Sequence, residues 1–235
     1  MTTTLVTGAN KGLGRETARR LIDAGHTVYV GARDPGRGRA AAAELGARHV
    51  VIDVTDDASV AAAARRIEAD GGLDVLINNA GIEGRTADNG IVAAADETVD
   101  TLRPLFETNV FGTLRVTHAF LPLLRRSAAP VIVNVSSGLA SLTGMSDPSS
   151  PGAFYPGIAY PASKTAVNML TVQYAKAFPE IRINSVEPGF TKTDLNGNQG
   201  TQTVTEGSEI IVRMAQIGPE GPTGRFFDAQ GAVAW

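Results

Sequence analysis

The N-terminal segment joins a short apolar strand to a helix through a turn that contains three glycines. The strand covers residues 3–7, the glycines are Gly8, Gly12 and Gly14, and the helix is predicted over 13–24. Glycines let a backbone approach a pyrophosphate closely, and the N-terminus of a helix offers free N–H groups and a positive dipole end. The spacing G-x-x-x-G-x-G differs from the general dinucleotide fingerprint and from the P-loop. A plain strand-to-helix turn is the alternative interpretation.

The rest of the chain alternates short runs rich in Val and Ile with Ala-rich segments of helical length. Near-continuous apolar strands joined by helical crossovers are typical of a parallel sheet with helices on both faces. We therefore predict an α/β fold built as one domain over residues 1–235. The predicted strands are 3–7, 27–31, 48–53, 73–78, 131–135 and 182–186. The predicted helices that follow the first one are 37–45, 58–69, 98–125 and 160–178.

Three irregular stretches follow predicted strand ends or a Pro-Gly pair, at 83–90, 138–157 and 189–205. In an open α/β sheet, the loops beyond the carboxyl ends of the strands line the ligand crevice. We therefore expect substrate specificity to reside in these three stretches.

Tyr160 and Lys164 lie four residues apart in the last predicted helix. Residues i and i+4 share one helix face, about 5–6 Å apart at Cβ. An ammonium beside a phenol favours the phenolate, so we expect the pKa of Tyr160 to move down from about 10. A phenol tuned in this way can pass a proton to or from a substrate oxygen. Such pairs also occur by chance on solvated helix faces, but the glycine turn is a second, independent signal that favours catalysis.

Composition and charge exclude several other classes of protein. The net charge is −3 and the basic residues are scattered, so no nucleic-acid partner is expected. No apolar run approaches the ~20 residues that span a bilayer, and the first strand leaves no room for a signal peptide. The chain has no cysteine, and its three histidines show no metal-ligand spacing, so we expect no metal site. We expect a cytoplasmic protein.

The motifs, taken together, resemble those of the short-chain dehydrogenase/reductase family. The glycine turn and the Tyr-x-x-x-Lys pair stand at the places where that family has them. Further family motifs occur between and after these two, in the same order: Asn78-Asn79-Ala80-Gly81, Asn109, Ser136-Ser137 and Pro188-Gly189 followed by Thr193. The resemblance covers essentially the whole chain. It implies a Rossmann-type doubly wound sheet of about seven strands, the last of them at 224–227.

The resemblance also implies a catalytic set and a role for each of its members. Tyr160 would protonate the developing alkoxide, and Lys164 would lower the pKa of Tyr160 and contact the nicotinamide ribose. Ser137 would donate a hydrogen bond to the same oxygen, with Ser136 as the alternative serine. Asn109 would hold a water that links Lys164 to bulk solvent. Both serines could instead be ordinary residues at a strand end.

The end of the second strand suggests the cofactor. An enzyme that uses NAD usually places an acid there, but this chain has Ala32 followed by Arg33. Arg33 and Lys11 would suit a 2′-phosphate, so we predict NADPH/NADP+ in preference to NADH, although both cations could be ordinary solvated charges. By the resemblance, Asp53 would hold the adenine amino group, although it could simply be a turn residue. The predicted cofactor-binding residues are Gly8, Asn10, Lys11, Gly12, Leu13, Gly14, Arg33, Asp53, Val54, Asn79, Ala80, Gly81, Tyr160, Lys164, Pro188, Gly189, Thr191 and Thr193.

Ser137 and Tyr160 enclose twenty-two residues, more than is usual in the family. The extra stretch, 142–157, contains three prolines and three glycines, so we predict a loop rather than a helix. An insertion at this place resembles that of the carbonyl reductase subgroup, where it covers a helix face used for tetramer formation in other members. We therefore expect a monomer or a weak homodimer rather than a tetramer, with 142–157 at the mouth of the active site.

The resemblance implies NADPH-dependent reduction of a carbonyl substrate, a ketone, aldehyde or quinone, to an alcohol. One alternative is a regulator that binds NADP(H) without turnover. Because such regulators typically lose the tyrosine or the lysine, the presence of both favours the enzyme. The other alternative is an alcohol dehydrogenase that works in the oxidative direction, which the sequence does not separate from a reductase.

Overall fold

The computed structural model describes residues 1–235 and contains one parallel sheet of seven strands. Their order across the sheet is β3-β2-β1-β4-β5-β6-β7, so the winding reverses between β1 and β4. The strands are β1 (Thr3–Thr7), β2 (Thr27–Ala32), β3 (Arg48–Val51), β4 (Val75–Asn78), β5 (Val131–Val135), β6 (Arg182–Val186) and β7 (Phe226–Phe227). The predicted doubly wound Rossmann-type fold is confirmed, with helices on both faces of the sheet.

Eight α-helices connect and cover these strands. They are α1 (Gly12–Asp23), α2 (Pro35–Leu45), α3 (Asp57–Ala69), α4 (Val99–Leu105), α5 (Gly112–Leu124), α6 (Leu142–Met145), α7 (Ala159–Ala177) and α8 (Val204–Ala215). A π-helix, Phe106–Phe111, joins α4 to α5. None of the helices combines the length and the apolar character needed to cross a membrane.

Two apolar cores pack on opposite faces of the sheet, because neighbouring strand residues point to opposite sides. In β1, Leu5 joins the core that includes Val60 of α3 and Phe120 of α5. The next residue, Val6, joins the core that includes Leu21 of α1. Both strand residues have no exposed surface, as expected for a parallel sheet buried on both faces.

The predicted helix over 98–125 is wrong as a single element. Pro104 lies inside α4, where proline removes one backbone hydrogen bond of the helix. The chain then widens into the π-helix before α5 begins at Gly112. Single π-helical turns often occur at functional sites. Here the wide turn contains the buried Asn109.

Two further segments differ from their predictions. The stretch 142–157 is not free of helix, because it contains α6 and a 3-10 turn at Pro151–Phe154. Serine caps begin both short turns, and prolines limit their length. The structure also contains α8, which was not predicted. This helix begins at a capping box in which Thr203 and Glu206 satisfy each other's backbone N–H groups.

Candidate active site

The glycine turn lies at the carboxyl end of β1, next to the point where the strand order reverses. Gly8 and Gly12 have φ values of 64° and 54°, which favour glycine over residues with a Cβ. A Cβ on Gly14 would lie 2.4 Å from Asn79 Nδ2 and 2.8 Å from the Gly8 carbonyl oxygen. The turn therefore combines left-handed backbone with a close approach that only glycine allows. Leu13 is half-buried against the core and anchors the start of α1.

Asn79 and Thr7 connect this turn to the carboxyl end of β4. Asn79 Nδ2 donates to the Thr7 carbonyl oxygen at 2.8 Å and to that of Gly8 at 3.3 Å. Thr7 Oγ1 accepts hydrogen bonds from the backbone N–H groups of Asn79 and Ala80. The two predicted cofactor-binding motifs are thus fixed to each other by hydrogen bonds. Thr7 was not among the predicted residues, although its hydroxyl at a strand end was visible in the sequence.

Asn109 is buried and uses its amide to hold the segment after β4. Asn109 Oδ1 accepts a hydrogen bond from the Ile82 N–H at 2.9 Å. Its Nδ2 donates to the Ile82 carbonyl oxygen and to Ser163 Oγ, at 2.9 and 3.0 Å. Protein atoms therefore accept both hydrogens of the Asn109 amide. The side chain has no hydrogen left to donate to the water that the resemblance implies, and its contacts hold the segment at Ile82 in place.

Lys164 and Tyr160 occupy one face of α7, and both are buried. Lys164 Nζ donates to the Val135 carbonyl oxygen at 2.8 Å and lies 5.8 Å from the centre of the Tyr160 ring. A Cβ on Gly81 would lie 3.4 Å from the same Nζ. The ammonium therefore lies between the end of β5 and the segment after β4.

The expected lowering of the Tyr160 pKa is wrong in this structure. Burial raises the pKa of the phenol above its ordinary value, and the carboxylates of Glu83 and Glu187 raise it further. The hydroxyl of Ser137 acts in the opposite direction. Burial also lowers the pKa of Lys164 to about 8. The cause in each case is that the charged form loses its hydration.

The two serines after β5 point to different partners. Ser137 is half-buried, and its hydroxyl lies near enough to the phenol of Tyr160 to oppose the rise of its pKa. Ser137 Oγ also accepts the Leu139 N–H at 3.2 Å, which caps a 3-10 turn. Ser136 is buried, and its hydroxyl is 3.4 Å from the Lys164 carbonyl oxygen. Of the two, Ser137 is the serine that acts on the phenol, and Ser136 faces the helix backbone.

The predicted adenosine end of the cleft lies at the ends of β2 and β3. Arg33 is exposed, and its charge is close enough to contribute to the lowered pKa of Asp53. The main causes of that lowering are hydrogen bonds from Thr55 to Asp53 Oδ1. Val54 is buried, and its carbonyl oxygen accepts a hydrogen bond from Arg115 at 2.7 Å. Arg115 was not predicted, because nothing in its local sequence indicates that it reaches this distant loop.

Lys11, predicted to contact a 2′-phosphate or to be an ordinary solvated charge, is paired with an acid. Its Nζ forms an ion pair with Asp194 at 2.8 Å, and both side chains are more than half exposed. This pair joins the glycine turn to the loop after Pro188-Gly189. Asn10, Lys11, Arg15 and Arg37 line one shallow cavity beside that turn. The turn therefore offers several cations, but Lys11 already has an acidic partner.

The Pro188-Gly189 loop covers the glycine turn from the opposite side. Gly189 has a φ of 79°, which favours glycine. Thr191 Oγ1 donates to the Pro188 carbonyl oxygen at 3.1 Å and accepts from Gln202 Nε2 at 2.9 Å. A Cβ on Gly12 would lie 3.6 Å from Thr193 Cγ2, so this loop closes directly over the glycine turn.

The three predicted specificity loops contact one another at the proposed mouth of the active site, where Arg85 Nη1 donates to Gln199 Oε1 at 3.5 Å. Glu83 is buried and forms an ion pair with Arg85 at 2.8 Å, while the Tyr155 hydroxyl donates to Glu83 Oε1 at 3.3 Å. The Ala94 N–H donates to the Pro156 carbonyl oxygen, which ties 142–157 to the loop after β4. Tyr155 packs against the cluster that contains Tyr160. Glu83 and Tyr155 were not predicted as site residues.

The insertion 142–157 lies beside this mouth and leaves the neighbouring helix face uncovered. Phe111 and Leu114, next to and within α5, and Met169 of α7 remain exposed. The first helical turn of the insertion, α6, contacts the C-terminal residues instead. Thr143 donates to the Trp235 carbonyl oxygen through both its N–H and its hydroxyl. The structure thus gives no support to the shielding of α7 by this insertion.

Comparison with known proteins agrees with this architecture. The family model for short chain dehydrogenases matches residues 2–203. A (+)-neomenthol dehydrogenase from Capsicum annuum is 31% identical, with 95% of this chain and 94% of the relative covered. The solved structure of salutaridine reductase from Papaver somniferum has a TM-score of 0.84 at 28% identity, covering 97% and 99% of the two chains. An NADPH-bound carbonyl reductase from chicken fatty liver has a TM-score of 0.83 at 29% identity, covering 100% and 99%.

The doubly wound sheet and the glycine turn at the reversal of strand order are typical of dinucleotide-binding proteins. The family match identifies which of these proteins the chain resembles. The chain belongs to the short-chain dehydrogenase family and is an oxidoreductase of that family. The family prediction is confirmed, including the similarity to a carbonyl reductase.

Proposed function

We propose that this protein is an NADPH-dependent carbonyl reductase that converts a ketone, aldehyde or quinone to an alcohol. One observation carries the proposal: Lys164 Nζ, held at the end of β5, lies 5.8 Å from the centre of the Tyr160 ring, and the hydroxyl of Ser137 is near enough to act on the pKa of that phenol. The reductases among its relatives and structural neighbours support the same reaction class.

A nicotinamide dinucleotide would lie along the carboxyl ends of β1 and β4, where the strand order reverses. Gly8, Gly12 and Gly14 leave room for a pyrophosphate at the start of α1, and Asn10 and Leu13 complete this turn. Further contacts would come from Asn79, Ala80 and Gly81 after β4, from Lys164, and from Pro188, Gly189, Thr191 and Thr193. The adenosine would lie between Arg33, Asp53 and Val54. When bound, such a cofactor supplies the hydride for reduction.

The cations near the adenosine end support NADPH as the preferred cofactor. No acidic residue stands at Ala32, and the exposed Arg33 is free to pair with a 2′-phosphate. Lys11 would reach the same phosphate only by leaving Asp194. Arg33 is therefore the principal discriminating residue in this proposal.

The state of the phenol supports the reductive direction. A raised pKa keeps Tyr160 protonated at neutral pH, and a proton donor is what a developing alkoxide requires. Ser137 would stabilise the same oxygen by donating a hydrogen bond. Lys164, held by Val135, would place a positive charge near the phenolate that forms when the proton leaves. Asn109 would keep the segment at Ile82 in register with α7.

The substrate is expected to be a small molecule with apolar surface. Leu139 and Tyr155 pack beside Tyr160, and Phe190 is half-exposed next to Gly189. We expect neither nucleic acid nor a membrane as partner, and a cytoplasmic location remains our prediction. Metal ions have no part in the proposed chemistry.

The test is a screen of NADPH consumption over ketones, aldehydes and quinones, repeated with NADH and with NADP+ plus the matching alcohols. We expect turnover with NADPH and slower turnover with NADH. Binding of NADPH without consumption over the whole screen would favour the regulator, and faster alcohol oxidation than carbonyl reduction at neutral pH would favour the dehydrogenase.

A further inference from the structure

Glu187 is a carboxylate inside the site that the proposed reaction does not use. It is the residue before Pro188, at the end of β6, and it is half-buried. Burial and the charge of Asp228 raise the pKa of its carboxyl, and the backbone N–H groups of Gly189 and Gly138 act in the opposite direction. A Cβ on Gly138 would lie 3.1 Å from Glu187 Oε1, so the carboxylate is packed against the residue that follows Ser137.

No cation compensates this charge. Glu187 takes part in none of the ion pairs of the structure, which involve other acids throughout. Asp228 is the charged group that acts on it, and it is also negative. Glu83, the other carboxylate near Tyr160, differs because Arg85 neutralises it. Glu187 is therefore the uncompensated negative group beside the phenol.

We propose that Glu187 selects the substrate: a carbonyl compound with a hydroxyl or ammonium donor next to its carbonyl group, and without a carboxylate. This inference rests on the proposed carbonyl reduction and names its substrate class. Buried carboxylates gain most from a partner that donates a charge-assisted hydrogen bond, which a hydroxyl or an ammonium supplies. A carboxylate on the substrate would instead meet a like charge in a poorly hydrated cleft, which is strongly unfavourable.

The position of Glu187 sets where the donor must be. In the proposed reaction Ser137 and Tyr160 both face the carbonyl oxygen, and Gly138, the residue after Ser137, packs against Glu187 Oε1. A donor on the carbon next to the carbonyl would therefore face Glu187. The apolar remainder would lie against Leu139 and Tyr155, which pack beside Tyr160.

Three probes with one phenyl ring test this selection: acetophenone, 2-hydroxyacetophenone and phenylglyoxylate. They differ only in having a methyl, a hydroxymethyl or a carboxylate group on the carbonyl carbon. We expect the wild type to prefer 2-hydroxyacetophenone and to use phenylglyoxylate least. Each kcat/KM is divided by that for acetophenone. In Glu187→Gln the ratio for 2-hydroxyacetophenone should fall, and the ratio for phenylglyoxylate should rise about tenfold or more. Glu220→Gln, an exposed carboxylate far along the chain, is the matched control and should leave both ratios unchanged.

A binding measurement keeps the test independent of turnover. Titration calorimetry with the NADP+-loaded enzyme compares benzamide with benzoate, which have the same shape and differ in charge. We expect the wild type to bind benzamide and exclude benzoate, and Glu187→Gln to admit benzoate. Equal binding of the two by the wild type, or ratios that Glu187→Gln leaves unchanged, would overturn the selection by Glu187. Failure to reduce any of the three ketones would count against the proposed function, and the calorimetry would still decide the charge preference.

Discussion

Lys164 Nζ donates a hydrogen bond to the carbonyl oxygen of Val135 at 2.8 Å, and this contact fixes the buried ammonium at the end of β5. The same ammonium is 5.8 Å from the centre of the Tyr160 ring. The contact ties α7 to the strand that precedes Ser137. The end of β5 and α7 therefore both determine the distances between the proposed catalytic groups. A substitution of Lys164 should consequently change both activity and stability.

Tyr160→Phe removes the phenolic hydroxyl and keeps the ring. We expect kcat to fall about 10²–10⁴-fold, because that is the usual loss when a general acid is removed. NADPH binding, followed by titration of its fluorescence, should persist, since the other cofactor contacts remain. Tyr174→Phe, a tyrosine at the other end of α7, is the control and should retain activity. Near wild-type kcat in Tyr160→Phe would show that another group supplies the proton.

Lys164→Met should abolish the activity and change the pH dependence of stability. Burial lowers the pKa of Lys164 from 10.5 to about 8 in the folded state. Between these values the unfolded chain binds the proton and the folded chain does not, so the unfolding free energy of the wild type rises with pH. Below pH 8 Lys164 is protonated in both the folded and the unfolded chain, so burial of its charge lowers the unfolding free energy by the full amount.

The measurement is urea unfolding of both proteins at several pH values between 7 and 11. The wild type should gain up to about 3 kcal/mol relative to Lys164→Met across that window. In addition, kcat/KM for carbonyl reduction by the wild type should decline above pH 8, as the ammonium loses its proton. Parallel stability curves for the two proteins would contradict the lowered pKa.

Arg33→Ala tests the choice of cofactor. A charge-assisted contact to the 2′-phosphate contributes about 1.5–3 kcal/mol, so KM for NADPH should rise roughly tenfold to a hundredfold. KM for NADH should change little. Arg65→Ala is the matched control, because Arg65 is also exposed but lies on α3. Equal effects on both cofactors would show that Arg33 does not recognise the 2′-phosphate.

Asp194→Asn tests the second cation of the same site. The ion pair of Lys11 with Asp194 is largely exposed, so its loss should cost little stability. If Lys11 leaves Asp194 to reach the 2′-phosphate, Asp194→Asn should lower Kd for NADPH and leave Kd for NADH nearly unchanged. Equilibrium binding by fluorescence measures both constants, and a weaker affinity for NADPH would argue that the pair itself shapes the binding site.

Gly14→Ala tests the close approach of the glycine turn to the end of β4. Its Cβ would lie 2.4 Å from Asn79 Nδ2, so the Asn79 side chain must leave its bond with the Thr7 carbonyl oxygen. We expect a loss of about 1–3 kcal/mol in unfolding free energy, together with weaker NADPH binding. Gly218→Ala, where an added Cβ has no neighbour within 4 Å, should leave both quantities near wild type.

The sequence predicted well those features that depend on local pattern. Six of the seven strands were predicted from the pattern with small errors at the ends, because buried parallel strands are near-continuous apolar runs, and the seventh came from the resemblance to the family. Asn79 and Gly14 were found through motifs. The π-helix around Asn109 was not predicted, because its backbone is set by packing against Ile82 and Ser163 rather than by residue preferences. The capping box of α8 was a readable signal that the prediction overlooked.

The charges around Tyr160 could not be predicted in the same way. Their effect depends on which side chains the fold brings together, and Glu83, Glu187 and Tyr160 come from three separate segments. The expectation for the pKa of Tyr160 considered Lys164 alone and therefore had the wrong sign. Sequence spacing indicates which residues share a helix face, but burial and distant carboxylates decide the pKa.

Assembly is the last prediction. A monomer or a weak homodimer stays our prediction, but shielding by 142–157 no longer supports it, because that insertion leaves Phe111, Leu114 and Met169 exposed. Sedimentation velocity at micromolar concentration measures the state directly. If these three side chains form an interface, Met169→Glu should dissociate it, because a charge is costly in an apolar contact. The exposed Thr201→Glu is the matched control. A stable tetramer that Met169→Glu converts to monomer would reject the monomer prediction and place the interface on α5 and α7.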